Sequence, residues 1–237
     1  RKDQLLSLII KEDPDIVCLQ ETKAVDDCFP KCALENKGYF VYLNGIQSYN
    51  GVAIISKIEA TKINSHKFCN QNDARHIQAN FKNFTVHSIY VPAGGDTPDI
   101  NKNEKFDHKL RFLDEMATFF KFNKNQINVV CGDLNVSPNE DDVWSHKQLQ
   151  NVVSHTKIER EKLIKIMNNG KFVDTTRMFI SPPENVFTWW SYRSKDFKKN
   201  NRGRRLDHIW VTNHQSLKSL NARIMIETRS FPQPSDH

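Results

Sequence analysis

The stretch Gln126-Ile127-Asn128-Val129-Val130-Cys131-Gly132-Asp133-Leu134-Asn135-Val136-Ser137-Pro138 joins a short apolar run to a set of polar residues. Ile127 to Cys131 is short, rich in β-branched side chains and closed by glycine, which predicts a buried strand. Asp133 and Asn135 follow at once. In extended chain, residues two apart share a face, so a carboxylate and a carboxamide are expected to project together from a core strand's C-terminal end. Open α/β sheets place ligands at that end. An acceptor-only carboxylate beside a donor–acceptor amide can orient a water, grip a phosphate oxygen or bind a hard cation. Gly-Asp-Leu-Asn reads equally as a turn that stops the strand, since Asp and Asn favour turns.

Working outward, the N-terminal side offers more strands than helices. Residues 1–12 carry Leu5, Leu6, Leu8, Ile9 and Ile10 near a helical stripe, ended by Asp13-Pro14. Ile16 to Leu19 reads as a strand. Tyr39–Asn44 and Gly51–Ser56 read as a hairpin around a Gly/Ser/Asn turn, and Arg75–Phe81 with Thr85–Val91 as another. Phe106–Lys121 has Phe106, Leu110, Leu113, Ala117 and Phe120 on one helical face. On the C-terminal side, residues 139–157 form a long polar loop of the kind that carries function. Glu159–Asn169 is expected to be a helix, with Gly170 as its left-handed cap. Leu206–Thr212 and Ala222–Glu227 are expected to be strands. Many strands with few intervening helices point to sheets packed on each other with helices outside.

The 237 residues suffice for one large domain. Thirty-four Lys and Arg stand against 28 Asp and Glu, net +6, with a pI near 9.0. That balance favours a polyanionic partner. No apolar run reaches the roughly 18 residues that span a bilayer, so no membrane partner is expected. No leader is legible, because the chain opens inside a helical stretch. The five cysteines are odd in number and scattered, which suggests reduced thiols in a cytosolic setting. Cys28 and Cys32 have no second Cys or His pair to make a zinc site.

Polar groups recur at strand ends: Glu21 after the first strand, Asp133 and Asn135 after the central one, Asp207 opening another, Asp236 and His237 at the end. Carboxylates and a histidine so delivered suit an oxygen-loving cation with a base nearby. Carboxylates at strand ends are also common solvated charges. A basic loop holds Lys195, Lys198, Lys199, Arg202, Arg204 and Arg205 beside Trp189-Trp190. Such a loop can hold DNA phosphates while an aromatic ring stacks on a base or encloses a sugar. It can equally be a solvated charge run. Asp174 reads as a cap or turn residue, and His76 and His87 as surface or satisfied core histidines.

Seven segments occur in order: Leu19-Gln20-Glu21-Thr22-Lys23, Gly51-Val52-Ala53-Ile54-Ile55-Ser56-Lys57, Tyr90-Val91-Pro92, Gly132-Asp133-Leu134-Asn135, Trp189-Trp190-Ser191-Tyr192-Arg193-Ser194, Arg202-Gly203-Arg204-Arg205-Leu206-Asp207 and Ser235-Asp236-His237. Together they closely resemble the exonuclease-III-type AP endonucleases of the endonuclease/exonuclease/phosphatase superfamily, over nearly the whole chain. The resemblance implies a single-domain four-layer α/β sandwich, two packed mixed β-sheets flanked by helices. Residues 1–237 would form that domain, without the family's first strand and its metal-site Asn, and without its last strand. It implies a Mg²⁺-dependent (or Mn²⁺-dependent) DNA repair phosphodiesterase of base excision repair. Such an enzyme cleaves 5′ to abasic sites and trims 3′ ends, with double-stranded DNA bearing abasic sites or damaged 3′ ends as partner, and acts as a monomer. By position it gives Glu21 and Asp236 to the metal. Asp133 and Asn135 would activate the attacking water. Tyr90 would contact the phosphate or nucleophile, and Asp207 would orient His237, which would hydrogen-bond the phosphate oxygen. Trp189 would wall the sugar pocket, with Arg75, Lys195, Arg202 and Arg204 on the DNA side. Arg204 stands where some members carry an apolar or aromatic residue, and no Arg follows Tyr90-Val91-Pro92. Hydrolysis of another phosphodiester (RNA or a phospholipid), or damaged-DNA binding with incomplete catalysis, are the rival readings.

Overall fold

The computed structural model describes residues 2–194, 196–214 and 218–237. They form two compact units, one from the N-terminus to Tyr90 with Gln126–Gly132, the other from Val91–Asn125 with Asp133–His237.

In the first unit, α1 (Lys2–Glu12) lays Leu5, Leu6 and Ile9 against Leu34, Tyr39, Val41 and Ile55. Asp13 then turns into left-handed backbone (φ 45°) and donates its N–H to the Ile9 carbonyl, which stops the helix. The strands β1 (Ile16–Gln20), β2 (Phe40–Asn44) and β3 (Val52–Ser56) form an antiparallel sheet in the order β1-β3-β2. Short α2 (Lys31–Glu35) precedes β2. Central β3 is buried at all five positions, as its unbroken apolar run requires. A second sheet runs β4 (Lys62–Asn64), β5 (His76–Asn80), β6 (Thr85–Tyr90) and β7 (Asn128–Asp133). The β5–β6 hairpin pairs Ala79 with Val86, as expected from sequence. Val52 and Ile54 of one sheet pack with Ile77, Ala79, Val86 and Tyr90 of the other, so two sheets share one core. His76 and His87 are core histidines, joined Nε2 to Nδ1 at 3.0 Å, with His87 Nε2 also on Asn128 Oδ1 at 3.1 Å. Burial keeps His87 neutral down to about pH 4. Gly132 comes so close to β6 that a Cβ there would lie 1.9 Å from the Ile89 carbonyl oxygen. Only glycine lets β7 seat at that point.

The second unit is built on α3 (Glu104–Phe119), α4 (His146–Leu149), α5 (Lys157–Gly170) and α6 (Phe197–Asn200). Asn103 caps α3 through its side chain, and Thr156 with Glu159 forms a capping box on α5. The helices α3 and α5 pack on each other. The left-handed residue closing α5 is Lys171 (φ 49°), not Gly170. Gly170 is required for space, because a Cβ on it would meet the Phe172 ring at 2.2 Å. Here β8 (Phe172–Asp174) runs antiparallel to the strand Asp207–Thr212, and β9 (Trp189–Trp190) pairs with β10 (Gly203–Arg204). The Asp207–Thr212 strand is β11. Asp174 is the turn residue anticipated, accepting from Thr176 and Arg177 N–H, and it also binds Arg205 at 2.7 Å. The strand expected at 222–227 is absent. A 3₁₀ turn, Ile226–Ser230, ends instead with Arg229 buried over the Tyr192 and Phe197 rings.

Candidate active site

The second segment of the second unit begins at Asp133, the last residue of β7. Its flanks are fixed: Asp133 accepts from the Val91 N–H at 2.9 Å, and Leu134 donates to the Leu206 carbonyl at 2.8 Å. Leu134 and Val136 are fully buried, so the chain between them turns its polar residues the other way. Asn135 does not continue the strand; its φ is 52°. That left-handed turn folds it back on Asp133. Its N–H donates to Oδ1 at 2.9 Å and its Nδ2 to Oδ2 at 3.1 Å, with Nδ2 also on the Val91 carbonyl. The partnership expected from the sequence exists, but a turn makes it, not an extended alternation.

Asp207, at the start of β11, receives His237. Imidazole Nδ1 lies 2.6 Å from Asp207 Oδ2, and Nε2 lies 3.7 Å from Asp133 Oδ2. Thr188 Oγ1 steadies the β11 entry by accepting from the Leu206 and Asp207 N–H groups at 3.0 Å each. Electrostatics follow from this geometry. Burial drives the Asp133 carboxyl up to about 7; His237 opposes, Asp207 adds, and the Asn135 N–H and Lys109 oppose. Burial pushes His237 down, but Asp207, by charge and hydrogen bond, with Asp133 and Asp236, raises it to about 10. At neutral pH the site therefore offers an imidazolium and a carboxyl group poised between its two forms.

Among the described residues, Asp133, Asp207 and His237 are the group whose ligand atoms lie within 4.8 Å of one another. Two hard carboxylate oxygens fit a cation such as Mg²⁺. Asp236, expected as a metal ligand, is not in this group. Its Oδ2 accepts from Trp189 Nε1 at 3.0 Å and its carbonyl from the Trp190 N–H at 2.8 Å. In the first unit, Glu21, Tyr90 and Arg75 come together. The Tyr90 hydroxyl donates to Glu21 Oε1, and Lys23 Nζ lies 2.7 Å from Glu21 Oε2. Arg75 donates to the Tyr90 carbonyl at 3.2 Å, stacks 4.8 Å from its ring and pairs with Asp73 at 2.6 Å.

The two adjacent tryptophans face different ways. Trp190 is buried, its indole N–H on Asn201 Oδ1 at 3.0 Å, while Trp189 lines a cavity of about 660 Å³. Trp144, Val153, Arg193, Arg202 and Arg204 share that lining. Arg202 stacks over Trp144 at 4.6 Å and Arg204 over Trp189 at 5.6 Å. Lys195 lies outside the described residues.

Sequence reasoning missed Lys109 and Glu159. Both are fully buried, 2.5 Å apart, and Lys109 Nζ donates to the carbonyl of Asn135 at 2.8 Å. The signal was present: Lys109 sits three after Phe106 and four before Leu113, inside the apolar stripe of α3. A lysine there must find an anion or a carbonyl.

The endonuclease/exonuclease/phosphatase family matches residues 1–237. The chain is 29% identical to exodeoxyribonuclease III of Haemophilus influenzae over 251 residues, covering 100% of this chain and 92% of the relative. An AP endonuclease from Archaeoglobus fulgidus superimposes with a TM-score of 0.89 at 31% identity, covering 98% of this chain and 90% of that one. A 3′ phosphatase from Neisseria, solved with a product DNA hairpin, gives a TM-score of 0.92 at 27% identity, covering 100% and 91%. These neighbours carry the α/β sandwich expected from the sequence.

Proposed function

Because the chain belongs to the endonuclease/exonuclease/phosphatase family, as an exonuclease-III-type AP endonuclease, we propose that it is a Mg²⁺-dependent DNA repair nuclease. Its reactions are cleavage of duplex DNA 5′ to abasic sites and processing of damaged 3′ ends. The observation that carries this reading is the Asp207–His237–Asp133 array, with Asn135 gripping both oxygens of Asp133.

A phosphodiester is anionic and repels hydroxide. Asp133, with its pKa near 7, is the base that takes a proton from the attacking water. Asn135 fixes the direction of that carboxylate. His237, held by Asp207 and protonated well above neutrality, donates to the phosphate oxygen on which charge grows. Tyr90 and Arg75 keep the phosphate-contact and DNA-side roles implied by their motifs. Trp189, Arg202 and Arg204 face the DNA, and Lys195 keeps the DNA-binding role implied by its loop. Glu21 and Asp236 carry over as metal ligands each from its own motif match; within the second unit, the carboxylates of Asp133 and Asp207 have donor chemistry that suits a divalent cation. Mg²⁺, or Mn²⁺ in its place, held by these carboxylates would supply charge neutralisation at the phosphate. The enzyme acts as a monomer in a reducing bacterial cytoplasm.

The test is cleavage of a short duplex holding one abasic-site analogue, and of a duplex with a blocked 3′ end, in Mg²⁺, Mn²⁺ and EDTA. Metal-dependent nicking on the 5′ side with a 3′-hydroxyl product is expected. Binding without cleavage, or cleavage of RNA or phospholipid in preference to DNA, would overturn the reading.

A further inference from the structure

We infer that Arg204 is a specificity-determining residue: it tunes the 660 Å³ cavity to DNA ends whose scissile phosphate carries a further acidic group, over an uncharged abasic sugar. The chemistry shared by such ends is a second negative charge, on a 3′ phosphomonoester or on the carboxylate of a 3′ phosphoglycolate. The inference rests on the nuclease reading above and concerns which substrates it favours.

The guanidinium of Arg204 is placed but not neutralised. It stacks over Trp189 at 5.6 Å, because β10 pairs Arg204 with Trp189 in register. Its Nη1 donates to the Val153 carbonyl at 3.0 Å and to Ser154 Oγ at 2.7 Å, both neutral acceptors. Among the described residues no carboxylate lies within ion-pair distance of it. The anion that acts on it is Glu159. That carboxylate is already taken by Lys109 at 2.5 Å and by the Ser154 N–H, Thr156 N–H and Thr156 hydroxyl. Two buried or half-buried cations thus share one anion, and a positive charge is left facing the cavity. Burial accordingly makes the Arg204 cation less favourable, and Glu159 only partly offsets this.

Among the described residues, the rest of the lining has the same sign. Arg193, Arg202 and Arg204 stand against Asp96, three cations to one anion. Arg193 and Arg202 are exposed and can follow a solvated phosphate backbone; Arg204 is half-buried and fixed at two acceptors. An uncharged sugar entering here would strip water from the guanidinium and return little. An acidic group would return a charge-assisted hydrogen bond in a partly desolvated site. The occupant would also sit beside the chemistry. Trp189 is hydrogen-bonded to Asp236, whose chain neighbour His237 is bound to Asp207, three residues after Arg204.

The experiment compares the parent chain with Arg204→Leu and Arg204→Lys on four duplexes of one sequence. They carry a 3′-phosphate, a 3′-phosphoglycolate, a 3′-hydroxyl, or an internal tetrahydrofuran. The readout is the ratio of kcat/KM on each acidic end to kcat/KM on the tetrahydrofuran site. Removing a charge-assisted hydrogen bond is expected to lower that ratio about tenfold in Arg204→Leu, with Arg204→Lys between. A fall confined to the phosphate or to the phosphoglycolate identifies which acid is met, and either supports the inference. Equal losses on all four duplexes, or an unchanged ratio, overturn it. If Arg204→Leu does not fold, the ratio in Arg204→Lys decides alone. If the parent cleaves none of the duplexes, the nuclease reading fails by itself. Competition binding in EDTA then still tests the inference: the parent must hold the 3′-phosphate strand more tightly than the 3′-hydroxyl strand, and Arg204→Lys must lose that margin.

Discussion

Lys109 and Glu159 lie 2.5 Å apart with neither side chain exposed, and the same ammonium holds the carbonyl of Asn135. The pair links the buried face of α3 to the capping box of α5 and to the turn that carries the candidate base. Removing one partner leaves a buried charge uncompensated, which costs about 3 kcal/mol or more. Lys109→Met should therefore destabilise by that order in urea unfolding. The double variant Lys109→Met/Glu159→Leu should recover only part of the stability: no buried charge is orphaned between the two, but the Ser154 and Thr156 N–H groups and the Thr156 hydroxyl lose their acceptor. Turnover on an abasic duplex should stay low in both, because the Asn135 carbonyl has lost its donor. Full activity in the refolded double variant would remove Lys109 from any positioning role.

In the proposed mechanism His237 meets a developing charge, so it should matter more to turnover than to binding. His237→Ala is expected to reduce kcat by about 10²-fold or more, the scale for losing one donor to a transition-state oxyanion, while DNA affinity changes little. Asp207→Asn should lose part of that, since an amide keeps a hydrogen bond to Nδ1 but not the charge. Parallel losses in kcat and in affinity would assign His237 to ground-state binding.

The site makes stability depend on pH in a fixed direction. His237 is raised from 6.5 to about 10, so its contribution is full below about pH 6.5 and is lost as pH rises through 10. Asp133 is raised from 3.8 to about 7, so folding also loses free energy between about pH 4 and 7 as this buried carboxyl is forced to ionise. Both act in the same sense in the metal-free protein. Urea midpoints in EDTA should fall from pH 6.5 to 10, and Asp207→Asn should flatten that fall. A midpoint that rises with pH in this window would contradict the assignment.

Legibility followed local chemistry. The β2–β3 and β5–β6 hairpins were readable because each apolar run is bounded by turn residues, and α3 because its stripe repeats every three or four positions. Asp133 and Asp207 were legible as strand-end carboxylates, while the roles given to them and to His237 came from the family resemblance. What escaped depends on tertiary context. Asn135 reaches Asp133 through a left-handed turn that periodicity does not encode. Residues 222–227 alternate like a strand, yet the chain turns at Ile226 and delivers Arg229 onto two aromatic rings. Lys109 broke the apolar pattern of its helix, and the anion that justifies it is fifty residues away in sequence.

Gly132 gives a prediction about the base from outside the site. A Cβ there would fall 1.9 Å from the Ile89 carbonyl oxygen, and backbone cannot yield as a flexible side chain can. Gly132→Ala should push β7 from β6 and cost about 2–4 kcal/mol, in the range of severe single substitutions. Asp133 is the next residue, so kcat should fall even at temperatures where the variant is folded. A stable variant with parental kcat would show that the strand end is less constrained than the geometry requires.

Asp236 has two roles to separate. The proposal from the motif match is that it binds the metal, and the structure makes its Oδ2 the acceptor for Trp189 Nε1 at 3.0 Å. Asp236→Asn retains an oxygen for the indole but removes the charge that a divalent cation needs; Asp236→Ala removes both. If Asp236 binds the metal, Asp236→Asn should need roughly tenfold more Mg²⁺ for half-maximal activity, in line with losing one ligating or ligand-orienting group. Its KM for DNA should barely change. Asp236→Ala should add a higher KM, because Trp189 loses its anchor and the cavity wall its fixed orientation. A parental Mg²⁺ requirement in Asp236→Asn, with a raised KM only in Asp236→Ala, would leave Asp236 as the tether of Trp189 and confine the carboxylate ligands to the other residues proposed.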